Sequence, residues 1–204
     1  MNERIRLFRK ALTLEYFMVG YNFLEAIASM IAGKMAGSIS LIGFGLDSVF
    51  ETLSGFVLIW RLRKHDRISE EEEKRVERRA SRFVGVTFFL LGGYVVFEAV
   101  RKIILREAPD KSVPGIVIAV LSLIVMPFLA SAKFRLGKRL GLKSLIADAK
   151  ETLVCAWLSA ALLLGLTTHA LTGFWYADPV AGLVIAGFLF REGYELVFER
   201  VDDE

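Results

Sequence analysis

An all-α integral membrane protein of six transmembrane helices, with both termini cytoplasmic, is the fold class that three features of the sequence predict. The chain of 204 residues is 54% hydrophobic with a mean hydropathy of +0.49, too apolar for a soluble domain of this size. Its apolar residues gather into six windows, and about 20 such residues cross a bilayer as a helix. Its basic residues are also unevenly placed. With the N-terminus inside, cytoplasmic segments hold 20 of the 26 Lys and Arg: four before the first helix, nine from Arg61 to Arg82, five from Lys133 to Lys143, and Arg191 and Arg200. Such an excess marks the cytoplasmic side, and the acidic C-terminal tail carries little weight in that rule. Six spans leave little chain over, so residues 1–204 are expected to form one transmembrane domain with no soluble domain.

The basic N-terminus, Met1 to Lys10, leads into a span at roughly 13–33 that lacks a small-residue cleavage site and reads as a retained helix. Glu15, Asn22 and Glu25 share one face of it, where they would line an aqueous path or hydrogen-bond across the bundle. The second span, at roughly 38–60, holds Gly43-Phe44-Gly45-Leu46-Asp47-Ser48-Val49-Phe50-Glu51. Asp47 and Glu51 are one turn apart, roughly 40° around the helix, so both reach a single ion. A carboxylate in hydrocarbon costs about 3 kcal/mol even on insertion scales, so an intramembrane acidic pair reads as an ion or proton site. The duller reading, acids that hydrogen-bond to neighbouring helices, fits a lone acid better than a pair.

The connection from His65 to Arg82, with Glu70-Glu71-Glu72-Glu73-Lys74-Arg75, reads as a charge-alternating helical turn before a third span at roughly 82–104. It would also suit cation collection, with His65 and Asp66 as a secondary metal site. Glu98 lies one turn from Arg101 and Lys102, the spacing of a structural ion pair. Glu107 to Pro114 is an external turn punctuated by Pro109 and Pro114. The fourth span follows at roughly 114–132, with Met126-Pro127 a predicted kink. In the fifth span, at roughly 144–167, Ser144, Asp148, Glu151, Cys155 and Ser159 follow the 3-and-4 spacing of one face, which must look into protein. Asp148 would cap the helix, pair with Lys143 or Lys150, or join Glu15, Asn22 and Glu25 in a secondary metal or pathway site. His169 falls in the turn before the last span, roughly 176–197, and is expected to be solvent-exposed. Gly33, Gly37, Gly43, Gly45, Gly92 and Gly93 suit close helix packing. The single cysteine, Cys155, excludes an intrachain disulfide.

Depth brings the two polar faces together. Asp47 and Glu51 sit near the middle of a span that runs inward, and Glu151 and Cys155 near the middle of one that runs outward, so all four can meet at the bilayer midplane. A faint internal repeat supports this. Ser40-Leu41-Ile42 precedes Asp47 and Glu51 by the same steps as Ser144-Leu145-Ile146 precedes Glu151 and Cys155, and a repeat three spans apart has inverted topology.

Together these residues resemble the transmembrane half of the cation diffusion facilitator family of divalent-metal/proton antiporters. The resemblance rests on the six spans, Gly37-Ser38-Ile39-Ser40-Leu41-Ile42 leading into the second helix, Asp47-x-x-x-Glu51, Ala147-Asp148-Ala149 before the fifth-helix site, and Asp178-Pro179 opening the last helix. In that family the second helix supplies Asp or His and then Asp four residues on, and the fifth supplies His and then Asp. Carried over by position, the implied metal ligands are Asp47, Glu51, Glu151 and Cys155. Glu51 replaces Asp with the same chemistry on a longer arm. Glu151 stands where His is common and Cys155 where Asp is usual. A lone membrane cysteine is otherwise a small packing residue. The family's cytoplasmic C-terminal domain is expected to be missing.

The resemblance implies a divalent metal efflux transporter, a Zn²⁺/H⁺ antiporter by alternating access with its site between the second and fifth helices. It also implies a homodimer through the membrane helices, in the cell (plasma or inner) membrane. Carboxylates with a thiolate suit tetrahedral Zn²⁺, and Mn²⁺, Fe²⁺, Co²⁺ and Cd²⁺ remain open. No resident cofactor and no nucleic-acid partner is expected, and no nucleophile with its base or phosphate loop points to an enzyme. Two other classes stay open: a membrane metal-binding or scaffold protein that does not transport, and an acid-lined proton or cation channel.

Overall fold

The computed structural model describes residues 2–64 and 70–199, and every regular element among them is helical. In chain order these are α1 (Asn2–Ala36), α2 (Ile39–Lys64), α3 (Glu70–Leu105), α4 (Val113–Leu140), α5 (Lys143–Thr172) and α6 (Ala177–Tyr194), with a π-helical turn over Glu195–Glu199. The helices α1 and α3, of 35 and 36 residues, outrun the predicted spans. Hydropathy marks only the apolar stretch, whereas Glu, Lys and Arg before it are good helix formers and continue the helix.

The six helices meet as antiparallel pairs: α1 with α2, α4 with α5, and α3 with α6. The central element is α2, which also packs against α3, α5 and α6, while α1 packs across to α4. Its small residues permit this closeness. A Cβ at Gly45 would stand 2.9 Å from Met30, and one at Gly43 3.2 Å from Ile185. Gly33 and Gly92 are likewise crowded, as the sequence predicts. Gly93 is not, since nothing lies within 4 Å of its position. Gly37 also serves another end: its φ of +61° closes the turn out of α1.

The distribution of polarity is inverted relative to a water-soluble protein. Glu15, Asn22 and Lys133 are fully buried, whereas Phe128, Leu164 and Trp157 are 73%, 68% and 67% exposed. Burying charge while exposing aromatic and aliphatic side chains is favourable only where the surroundings are apolar. Three helices, α2 over Ile39–Trp60, α4, and α5 over Ser144–Thr172, are long and apolar enough to cross a membrane on their own composition. In α1 the polar residues that dilute the apolar run are the ones turned inward. The chain is a membrane protein.

The internal repeat extends further than three residues. Gly33-Lys34-Met35-Ala36-Gly37-Ser38-Ile39-Ser40-Leu41-Ile42 aligns with Gly137-Lys138-Arg139-Leu140-Gly141-Leu142-Lys143-Ser144-Leu145-Ile146. Both segments fold into the same helix-turn-helix. Gly37 and Gly141 are left-handed, at φ +61° and +70°. Ser38 N donates to Gly33 O at 2.9 Å, and Leu142 N to Gly137 O at 3.0 Å. A Cβ on Gly33 would strike Ile42 as one on Gly137 would strike Ile146. The α1–α2 and α4–α5 pairs are therefore two copies of one hairpin, with their turns at opposite ends of the bundle.

The end bearing the α1–α2 turn is knitted by polar contacts. The carboxylate of Asp178, buried at the start of α6, accepts from Ile39 N at 2.9 Å and from the hydroxyls of Ser38 and Ser40. It thereby caps α2 from a neighbouring helix. The α3–α4 connection folds over the same end: Asp110 N donates to Ala36 O at 2.7 Å, and Ser112 caps α4 by accepting from Gly115 N at 3.1 Å.

Candidate metal site

The face of α2 that carries Asp47, Ser48, Glu51 and Thr52 turns into the bundle because the opposite face is apolar and meets lipid at Leu53 and Phe56. Asp47 is 6% exposed and Ser48 fully buried. Facing them, α1 presents Asn22 and Glu25. Asn22 Nδ2 donates to Glu51 Oε2 at 2.9 Å, and Ser48 Oγ donates to Glu25 Oε2 at 2.9 Å. On α5, Cys155 is buried, with Glu51, Asp47 and Glu25 as its charged neighbours. Glu151 lies one turn nearer the start of α5 and accepts from Ser54 Oγ at 3.3 Å. Glu192 of α6 is a further charged neighbour of Asp47.

The acids of α2 and the thiol of α5 thus share one interior region, and α1 closes it. Four buried oxygens around it lack a hydrogen-bond partner: Glu51 Oε1, Glu25 Oε1, Asn22 Oδ1 and Ser29 Oγ. A buried acceptor without a partner is unfavourable by about 1–3 kcal/mol, so such a cluster is the arrangement a cation or a proton would relieve. As the side chains stand, no three His, Cys, Asp or Glu among the described residues are gathered closely enough to hold a metal ion. Glu51 Oε2 is held by Asn22 and Glu151 Oε2 by Ser54.

Three sequence expectations about charged and polar residues need correction. Asp148 pairs with Lys133 of α4, a partner on another helix, while Lys150 lies on the exposed side of α5 and the Lys143 side chain lies outside the described residues. Lys133 itself was counted with the cytoplasmic connection, yet it is fully buried, because α4 continues inward and packs against α1 and α5. His169 is only 7% exposed: Nε2 is 2.8 Å from Pro109 O and Nδ1 3.3 Å from Phe174 O, so the ring ties the last turn of α5 to the α3–α4 connection. The Glu98–Arg101 pair forms at 3.6 Å, and Arg101 also reaches Glu107 at 2.9 Å. His65 and Asp66 lie outside the described residues.

The bond between Asp178 and the Ser38-Ile39-Ser40 turn joins two sequence motifs that carry no sign of each other. Burial of Lys133 against Glu15, Asp148 and Thr152 has one sequence signal, the i, i+4 pair Asp148 and Thr152 on the face of Glu151.

The sequence profile of the cation efflux transmembrane domain matches residues 16–203. Among curated proteins, the chain is similar to transmembrane protein 163 of Xenopus laevis, 28% identical over 194 residues that cover 95% of this chain and 68% of that protein. It is similar to an uncharacterized transporter of Methanocaldococcus jannaschii, 26% identical over 89% of this chain and 65% of the relative. A cadmium, cobalt and zinc/H⁺-K⁺ antiporter of Bacillus subtilis is 25% identical over 95% of this chain and 62% of its own length. The chain thus spans about two thirds of the length of these relatives.

Proposed function

The chain belongs to the cation efflux transmembrane-domain family, and on that premise we propose that it moves a divalent metal ion, Zn²⁺ first, out of the cytoplasm in exchange for protons. The observation that carries this reading is buried Asp47 with half-buried Glu51 one turn on, beside Cys155, where the buried Glu51 Oε1 lacks a partner. In this reading residues 1–204 form one domain of six spans in the cell membrane, with both termini cytoplasmic, and two copies assemble through membrane helices. Asp47, Glu51, Glu151 and Cys155 hold the ion.

The chemistry follows from the charges. Three carboxylates and a thiolate around one divalent ion would leave a net charge of −2 in a region of low dielectric. Some of these groups therefore carry protons whenever the metal is away. Metal can bind only as it displaces those protons, because a protonated carboxyl or thiol is a poor ligand. Facing inward, the site exchanges protons for metal; facing outward, it loses the metal and is reprotonated. The two inverted hairpins, α1–α2 and α4–α5, offer the alternate openings, since related packings of the same motif occupy opposite ends. The sequence of the Bacillus subtilis relative, whose name includes zinc and H⁺, supports the cargo and the counter-ion.

Uptake of Zn²⁺ into proteoliposomes under an imposed pH gradient tests the proposal. Gradient-driven, saturable accumulation that Asp47→Asn abolishes is expected. Binding without uptake would assign the chain to metal-binding scaffolds, and proton current without metal would make it a channel.

A further inference from the structure

One buried charge cluster lies outside the proposed metal site. The ammonium of Lys133, on α4, is fully buried between Glu15 of α1 and Asp148 and Thr152 of α5. Its Nζ is 3.2 Å from Glu15 Oε2, in contact with Asp148 Oδ2, and 3.4 Å from Thr152 Oγ1. Glu15, Asp148 and Thr152 are themselves 0%, 7% and 0% exposed. Glu15 Oε1 has no hydrogen-bond partner. These oxygens, brought in by two different helices, surround one cation, and two of them belong to carboxylates. That is the donor set of a hard or borderline divalent ion as much as of an ammonium. The cluster has one lysine against two acidic side chains.

Its position gives it a role. A Cβ at Gly55 would lie 4.0 Å from Glu15 Oε2, and Gly55 is one turn beyond Glu51 toward the cytoplasmic end of α2. Asp148 is likewise one turn before Glu151 on α5. The cluster therefore sits one turn inward of the Asp47/Glu51 site, between it and the proposed cytoplasmic face. Glu151 is one turn from Asp148 on α5, and Gly55, which adjoins Glu15, is one turn from Glu51 on α2, so the cluster borders the deeper site. The repeat sharpens the point. In the other hairpin the position that corresponds to Lys133 is Ser29, whose buried hydroxyl has no partner. At this position of the repeat one hairpin carries a buried lysine and the other a serine.

We propose that Glu15, Asp148 and Thr152 form a second cation site, a staging site on the cytoplasmic side of the Asp47/Glu51 pair, and that Lys133 occupies it until an incoming divalent metal displaces the ammonium. The direction of approach and the cargo rest on the transport reading above. The tethered lysine closes the inner mouth when no metal is present, and it neutralises part of the negative charge that would otherwise be left bare. When metal arrives the ammonium withdraws, and the ion passes one turn further to Glu151 and Glu51.

Equilibrium dialysis of the purified full chain against Cd²⁺ counts the sites. The parent should bind one equivalent per chain, removed by Asp47→Asn. Lys133→Met, eluting as a folded species, should bind a second equivalent, and adding Glu15→Gln to it should return the count to one. A single equivalent in folded Lys133→Met overturns the proposal, as does a second equivalent that survives Glu15→Gln. A parent with no equivalent sensitive to Asp47→Asn would instead sink the transport-site reading, so the two failures are distinguishable. Should Lys133→Met not fold, Lys133→Arg decides. A guanidinium keeps the charge but grips carboxylates in a fixed fork, so Zn²⁺ uptake should slow about fivefold or more while Cd²⁺ binding that depends on Asp47 is kept. Uptake equal to the parent's would mean that Lys133 is a structural counter-ion only.

Discussion

Replacing Asp178 with alanine should destabilise the protein by about 3–6 kcal/mol, and the figure can be built from its contacts. The buried carboxylate accepts from Ile39 N and from the Ser38 and Ser40 hydroxyls. Those two hydroxyls lie 3.2 Å apart, and Ser38 Oγ also accepts from Leu41 N, so they keep partners after the substitution. Ile39 N does not, and a buried N–H left alone costs about 1–3 kcal/mol. The start of α2 also loses an anion at its positive end, a further loss of about 1–2 kcal/mol in a buried setting. The cavity left by the side chain adds about 1 kcal/mol. Asp178→Asn should recover part of this, because its amide oxygen still accepts from Ile39 N. Thermal and denaturant unfolding in detergent, read by intrinsic fluorescence, measures both variants. A loss under about 1 kcal/mol for Asp178→Ala would mean that the α2–α6 junction is not held by this carboxylate. The functional stake is register: Asp47 lies two turns below Ile39, so a frayed start to α2 moves the first proposed ligand.

Cys155→Asp should shift the metal ranking from Cd²⁺ and Zn²⁺ toward Mn²⁺, since a thiolate favours softer ions; competition titration checks it, and an unaltered ranking in Cys155→Asp and Cys155→Ala alike would remove the thiol from the site. Gly33→Ala and Gly137→Ala should each destabilise by about 1–3 kcal/mol, because the new methyl would sit 2.9 and 2.7 Å from Ile42 and Ile146 Cγ1 and 3.0 and 3.2 Å from their backbone nitrogens. Gly93→Ala, with nothing within 4 Å, should be neutral or stabilising by up to about 1 kcal/mol; unfolding midpoints of the three variants separate these outcomes. Zn²⁺ affinity should rise with pH, since protonated carboxyls must give up their protons before they ligate. Isothermal titration in buffers of different ionisation enthalpy should register proton release on binding, and binding without release would undo the exchange mechanism.

The sequence by itself determined the helices and which face of each is polar, because both are consequences of a 3.6-residue repeat in one segment. Asp47 and Glu51 could be singled out this way as proposed ligands, since two acids one turn apart in an apolar window need no knowledge of neighbours. The α1–α2 and α4–α5 hairpins were also written locally, in Gly-Lys-x-x-Gly followed by Ser-Leu-Ile, although only the matched φ angles and turn bonds made that repeat visible as structure. Which polar face meets which was decided by tertiary packing. Lys133 follows an apolar run and reads as the first charge of a connection; it is interior because α4 continues past the hydropathy boundary and lies against α1 and α5. His169 reads as a loop residue, yet the α3–α4 connection folds over it and supplies Pro109 O. Asp178 was recognisable as a motif, but its partners lie 138–140 residues away in sequence. A side chain's periodicity is fixed by its own helix, whereas the partner it satisfies belongs to another helix, and only the assembled bundle brings the two within bonding distance.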